Sequence, residues 1–155
     1  MRNQSERIVI SLAVLAALIV GALAMMSLFS GKPSNLGVTD GRLADCPNSP
    51  NCVSTQAGRP ECRMEPIPFT DSSEAAMRRI KTVVAEMPRA KIVILENNYL
   101  HVEFRSAFFR FVDDVEFLID PEEQLIHFRS ASRVGYSDFG VNRDRMERIR
   151  KALGE

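Results

Sequence analysis

The sequence predicts an α+β domain in which helices pack on one face of an antiparallel four-stranded meander, preceded by an N-terminal transmembrane helix. Three features of the sequence support this prediction. The N-terminus is a long uncharged apolar run, two later segments repeat apolar residues at helical spacing, and the chain between those segments alternates apolar and polar residues. Strands that follow one another between two helices, in the order αββββα, are typical of α+β domains.

The N-terminal segment is long and apolar enough to cross a membrane. The run from Ile8 to Phe29 contains no charged residue, and about 20 such residues span a hydrocarbon core. Arg2 and Arg7 precede it, which favours a cytoplasmic N-terminus. We therefore expect residues 1–30 to anchor a single-pass protein in the inner (cytoplasmic) membrane, with its globular domain in the periplasm. The alternative is a signal segment cleaved after Ala22-Leu23-Ala24, which would release the domain into the periplasm.

Beyond this segment the sequence predicts one folded domain. Residues 31–42 are rich in Gly, Pro, Ser and Asn without apolar periodicity, so they are expected to form a linker. The remaining residues, 43–155, suffice for one hydrophobic core. The formal net charge is +0, so the domain lacks the basic surface that nucleic-acid binding requires.

The three cysteines would meet an oxidising environment after export, where disulfides persist. We expect Cys46 to pair with Cys52 across a short loop that Pro47 and Pro50 stiffen. A bond between Cys52 and Cys62 is the alternative. Because the cysteine spacing is not that of a zinc site, we predict no metal site.

The elements of the domain follow from the periodicity. A helix is expected from Asp71, its N-cap, to Pro88, and a second from Asn142, also an N-cap, to about Leu153. Between them, alternation and turn residues predict four strands. These strands are 91–96, 99–106, 109–120 and 124–130.

Three segments carry a resemblance to a known family. CPNSPNCVST, FRFVDDVEFLID and HFRSASRVGYSDFGVNRDR resemble the diagnostic blocks of the DUF1499 family, bacterial and plant proteins named for their unknown function. The resemblance covers Leu43 to Leu153. It implies one compact domain, frequently exported or membrane-tethered, with no assigned activity.

One carboxylate is expected on the apolar face of the sheet. Asp113 is in register with Phe111 and Val115, and a carboxylate there is costly unless it is paired. Arg129 or Arg133 is the expected partner, and the alternative is a β-bulge that turns one carboxylate to water. The opposite face is expected to be solvated, with cross-strand charge pairs. Its polar residues are His101, Glu103, Arg105, Asp114, Glu116 and His127.

The loop from Ser130 to Asn142 is the predicted binding site. Hydroxyls, a guanidinium, glycines and a helix N-terminus in one loop suit recognition of an anion. The candidate ligand-binding residues are Ser130, Ser132, Arg133, Tyr136, Asp138 and Asn142. We therefore expect a binding or accessory module for an anionic small molecule, a lipid head group or a partner protein.

The alternative function is a metal-dependent or acid/base hydrolase. It would use the acidic cluster of Asp113, Asp114 and Glu116, together with His101 or His127. No Ser-His-Asp arrangement, histidine cluster or HExxH pattern supports it, and the sequence indicates no particular cofactor.

Overall fold

A computed structural model describes residues 3–28 and 30–154, and it confirms the α+β class. Arg2 and Phe29, which the membrane-span prediction used, lie outside the described residues. The helices are α1 (Gln4–Leu28), α2 (Ser73–Glu86) and α3 (Val141–Ala152), with a 3-10 helix at Pro60–Cys62. The strands are β1 (Val38–Thr39), β2 (Arg42–Leu43), β3 (Cys52–Ser54), β4 (Ile67–Pro68), β5 (Ala90–Leu95), β6 (Tyr99–Arg105), β7 (Val112–Asp120) and β8 (Leu125–Ser132).

The N-terminal helix α1 has the length and composition of a membrane span or a signal sequence. The candidate span is Gln4–Ser27, 24 residues, and its most apolar 18-residue stretch has a mean hydropathy of 2.8 and is 0% buried against the rest of the described chain. An apolar helix whose surface the rest of the described chain leaves exposed is suited to lipid rather than to water.

The main sheet has six strands, not the four that the sequence predicted. β5 to β8 pair as an antiparallel meander, and β3 and β4 both pair antiparallel with β8 on its other side. β3 has three residues and β4 has two, which are too few for an alternating pattern to be recognised.

One face of this sheet carries the hydrophobic core, and α2 and α3 pack on it. The α2 helix begins after Ser72, whose hydroxyl accepts a hydrogen bond from the Ala75 N–H, so the predicted N-cap, Asp71, was one residue too early. Both helices place an apolar stripe against the strands. Core residues of this face and its helices include Val53, Ile80, Val84, Leu100, Val102, Val115, Phe117, Phe128, Met146 and Ile149.

The other face of the sheet is covered by residues 36–43, which we call the strap. β1 and β2 form a hairpin within it. Leu43 packs in a small cluster with Tyr99 and Leu118, and the Gly37 N–H donates to Glu116 Oε1 at 2.7 Å. The strap includes residues 36–42 of the segment expected to be a linker.

A disulfide closes the loop that leads into β3. Cys46 and Cys52 are bonded, with Cα atoms 5.6 Å apart, and Cys62 is a free, buried thiol. The structure therefore has the first of the two pairings considered from the sequence.

Candidate functional site

Three polar or aromatic loops lie at one end of the main sheet. The ends of β3, β6, β7 and β8 lie together there, because Arg105 pairs with Val112, Asp113 with Ser132 and Cys52 with Ala131. The loops that follow or precede them are 46–51, 106–111 and 133–140, and we call this side the loop end. The tight turns 96–98 and 121–124 lie at the opposite, turn end.

Two of these loops are joined by buried asparagines. Asn51 Nδ2 donates to the Gly135 carbonyl at 2.6 Å, and Asn142 Nδ2 donates to the Asn51 carbonyl at 3.1 Å. The Ser132 N–H donates to the same Asn51 carbonyl at 3.0 Å. Because Asn51 and Asn142 are 4% and 0% exposed, these bonds are shielded from water and hold the loops in one arrangement.

Below the loops, Asp113 lies on the helix-covered face, as predicted, but its partner is Arg145. Arg145 Nη2 and Ser132 Oγ each donate to one oxygen of its carboxylate. The predicted partners, Arg129 and Arg133, point to the opposite face of the sheet. The alternative of a β-bulge is also wrong, because the β7 register is continuous on both sides. Arg145 lies one helical turn before Ile149, on the inner face of α3. This spacing is the sequence signal that could have identified Arg145 as the partner of Asp113.

Arg145 also organises the polar residues around it. Its Nη1 donates to Asn142 Oδ1 at 2.6 Å and to Ser130 Oγ at 3.1 Å. Its guanidinium carbon lies 4.7 Å from the centre of the Phe104 ring, a favourable cation–π contact. Ser130 and Asn142 are therefore part of a buried network rather than of the loop surface.

The strap-side face is buried, so the prediction of a solvated face was wrong for its central residues. His101, Asp114 and Glu116 are each at most 1% exposed. Asp114 accepts from His101 Nε2 at 2.7 Å and from Arg133 Nε and Nη2 at 2.8 and 2.7 Å. Arg133 Nη2 also donates to Glu103 Oε1 at 2.6 Å. The alternating pattern had identified which residues share this face, but not that the strap covers it.

Glu116 is fully bonded beneath the strap. Its two oxygens accept from Arg129 Nη1 at 3.1 Å, from the Tyr99 hydroxyl at 2.8 Å and from the Gly37 N–H at 2.7 Å. The predicted acidic cluster is thus divided by the sheet, with Asp113 on one face and Asp114 and Glu116 on the other.

The charges of this face are set by burial and pairing. Burial acts to raise the pKa of Asp114 and of Glu103, but hydrogen bonds and charge from Arg133 outweigh it, so both pKa values lie below their ordinary range. Burial, followed by the neighbouring Glu116 charge, raises the pKa of Tyr99. The hydrogen bond to Asp114 is the main cause that raises the pKa of Arg133. These acids are ionised and these donors protonated at neutral pH.

The exposed part of the predicted site lies further along the 133–140 loop. Tyr136 is 76% exposed. Asp138 accepts from the N–H groups of Gly140 and Asn142 at 3.1 and 2.8 Å, so its carboxylate caps α3. The helix N-cap is Gly140, at φ 83°, and Asn142 is not the cap because it lies inside the first turn.

A cleft of about 280 Å³ separates this loop from the disulfide loop and the 3-10 helix. Residues of all three segments, together with the start of α3, form its walls. They include Asn48, Ser49, Arg59, Glu61, Tyr136, Asp138 and Arg143. Tyr136 and Asp138 belong to the predicted ligand-binding set, whereas Arg59 and Arg143 do not: Arg143 directly follows the predicted loop, and Arg59 lies far from it along the chain.

A group that could ligate a metal lies at the turn end. Asp120, Glu123 and His127 each place one ligand atom within 4.8 Å of the others. Asp120 Oδ1 already accepts the N–H groups of Glu122 and Glu123. Burial lowers the pKa of His127; the charges of Asp120 and Glu123 act to raise it, and the nearby Arg42 acts to lower it. A neutral imidazole suits a metal, but the positive charge of Arg42 opposes one.

Residues 42–153 match the family model described as "Protein of unknown function (DUF1499)". The chain belongs to the DUF1499 family. No curated protein and no solved structure matches the chain. The matched residues of the DUF1499 domain begin within the strap and include the cleft, α3 and both carboxylate networks apart from Gly37.

We expect Arg133→Ala to lower the free energy of unfolding of the DUF1499 protein by about 3–5 kcal/mol, because it leaves the buried Asp114 carboxylate without its cation. Asp114→Asn removes that charge with little change in shape and should partly rescue Arg133→Ala. Asp113→Asn is the matched control: it makes the same change one residue away on the other face. Urea unfolding followed by circular dichroism measures each variant. Rescue of Arg133→Ala by Asp113→Asn would contradict this pairing.

The stability contributed by the Arg133 pairs should fall in acid. Because the pKa values of Asp114 and Glu103 lie below their ordinary values of 3.8 and 4.5, the unfolded chain takes up protons before the folded one as the pH falls. The contribution is therefore complete above about pH 5 and is lost on descent through the folded pKa values. As the pH falls through this range, the free energy of unfolding should decrease less steeply for the Arg133→Ala/Asp114→Asn double variant than for the unsubstituted protein. Equal slopes for the two proteins would show that these groups do not titrate as described.

Proposed function

We propose that this DUF1499 protein is a membrane-tethered, periplasmic binding module that holds a small anionic ligand in the cleft between the disulfide loop and the 133–140 loop. The observation that carries the proposal is the convergence of these two loops, which are distant in sequence, around one cleft. Buried hydrogen bonds of Asn51 and Asn142 fix that convergence.

The rigidity of the cleft supports a binding role. The walls of the cleft are already ordered in the folded protein, so ligand binding would not have to order them. This preorganisation favours affinity. Four of the predicted ligand-binding residues act in this proposal as the scaffold beneath the loops. They are Ser130, Ser132, Arg133 and Asn142.

The chemistry of the cleft supports an anionic ligand. Arg59 Nη1 bonds Glu61 Oε1 at 2.8 Å, and Arg143 Nη2 donates to the Glu61 carbonyl at 3.0 Å. Arg59 Nη2 also donates to the Pro47 carbonyl. A guanidinium carries five N–H donors, so these contacts position each side chain and leave other N–H groups to offer an oxyanion. The exposed ring of Tyr136 would cover the organic part of the ligand. Asp138, the acidic residue of the loop, is already bonded to the N-terminus of α3.

The hydrolase alternative has less support from the geometry. Asp113, Asp114 and Glu116 each have an arginine partner. His101 is 0% exposed, and its Nδ1 is one of the buried nitrogens without a hydrogen-bond partner among the described residues. A histidine that acts as a general base must reach substrate, and neither ring nitrogen of His101 is open to it.

The location is proposed from two features that act together. The apolar helix α1 can reside in a membrane, and Arg2 and Arg7 favour retention of its N-terminal side in the cytoplasm. The Cys46–Cys52 disulfide is typical of an oxidising compartment, as the periplasm is.

The full-length protein should therefore fractionate with the inner membrane, and external protease should cut the domain once the outer barrier is opened. Non-reducing peptide mapping of the same material should recover Cys46 joined to Cys52. The first result is expected because an uncleaved α1 holds the protein in the membrane. The second is expected because the periplasm is oxidising. A soluble product that begins near Met25 would instead establish signal cleavage, and three free thiols would place the domain in the cytoplasm.

Inorganic phosphate should raise the melting temperature of the protein relative to chloride at equal ionic strength. A site at hundredfold excess of ligand over Kd adds about 2.7 kcal/mol to the folded state. Arg143→Gln should abolish this rise because it removes a guanidinium from the cleft. Arg148→Gln is the control: it lies on the same helix but outside the cleft, bonded to the Asp144 carbonyl. If the phosphate response survives Arg143→Gln, or is lost equally in Arg148→Gln, the cleft is not the site.

A further inference from the structure

We propose that the loop 106–111, between β6 and β7, inserts its phenylalanines into the bilayer beside α1 and so fixes the domain against the membrane surface. This inference rests on the proposed membrane tether and goes beyond it, since a tether alone leaves the domain free to turn. The occupant of this surface is a lipid bilayer that contains anionic head groups.

The loop is an exposed aromatic tip with basic flanks. Its sequence is SAFFRF, and Phe108 at its apex is 92% exposed. Phe109 and Phe111 are half-buried below this apex, with ring centres 5.6 Å apart. Transfer of one phenylalanine side chain out of water contributes roughly 1.5–3 kcal/mol. Arg105, which also bonds Glu103 Oε2 at 3.0 Å, and Arg110 flank Phe108 and Phe109. This order is expected of a segment that places apolar groups among acyl chains and cations among phosphates.

The backbone holds the tip in a defined shape. The Ser106 N–H donates to the Phe111 carbonyl at 2.9 Å, and the Phe111 N–H donates to Ser106 Oγ at 2.9 Å. These two bonds close the hairpin below the rings. The exposure of Phe108 is therefore built into the fold, and insertion requires little further ordering of the loop.

The position of the tip relative to α1 indicates the bilayer as its partner. Val20, Ala24 and Ser27 of α1 line a common cavity of about 550 Å³ with Phe108 and Phe109. A helix rises about 1.5 Å per residue, so Val20 lies roughly 10 Å deeper along α1 than Ser27 does. The same cavity is lined by Arg105, Arg110 and Arg133. Phenyl rings that share a cavity with this part of α1 would reach the upper acyl chains when α1 spans the membrane.

The absence of tryptophan from the sequence allows a single-probe test with the full-length chain. Phe108→Trp puts one fluorophore at the tip. Leu95→Trp is the matched control, because it is also an exposed apolar position, 46% exposed, but it lies at the turn end of the sheet. Each variant is reconstituted into phosphatidylcholine/phosphatidylglycerol vesicles, with and without lipids brominated in the upper acyl chain, which quench tryptophan on contact.

We expect brominated lipid to quench the emission of Phe108→Trp at least about twofold more than that of Leu95→Trp, and the emission of Phe108→Trp to shift to shorter wavelength in vesicles. Flotation of the vesicles reports the tether separately. A chain that floats but shows equal quenching in the two variants overturns the insertion of the loop and leaves the tether intact. A chain that does not float overturns both.

Discussion

The burial of Asp114 and Glu116 beneath the strap is the constraint on which the rest of the structure depends. An unpaired carboxylate in this position would be strongly destabilising. Arg129 lies directly across the strands from Glu116, and Arg133 lies just beyond the end of β8. A slip of one residue would turn the carboxylates into the helix-covered core and Phe117 away from it. The pairing of these charges and the burial of the apolar residues therefore enforce the same β7–β8 register.

The strap makes this pairing possible because it excludes water from the strap-side face. It also ties the segment leading from α1 to the centre of the sheet through the Gly37 N–H and Glu116. The chain that leaves α1 at Leu28 is therefore part of the packed domain by Gly37. A short connection of this kind limits how far the domain can move from α1, and the 106–111 loop at the loop end shares a cavity with the C-terminal part of α1.

The sequence predicts the long elements because their periodicity covers enough residues to be distinctive. It misses β3 and β4, which have three and two residues. It also predicts the wrong partner for Asp113, because alternation along β7 shows which face a residue occupies but not which helix residue packs against it. The sequence also fails to predict that His101 is buried, for the same reason. Strand periodicity contains no information about a cover that comes from residues 36–43, more than fifty positions away.

The loop end brings together the exit of α1, the aromatic tip 106–111 and the proposed ligand cleft. If the tip lies at the depth of the acyl chains, the 133–140 loop that shares this end of the sheet lies near the head groups. The sequence alone left three ligand classes open: an anionic small molecule, a lipid head group and a partner protein. Taken together, the two proposals favour the phosphate of a lipid head group, because the membrane would present it at high local concentration to Arg59 and Arg143, whereas a free anion would have to be captured from solution.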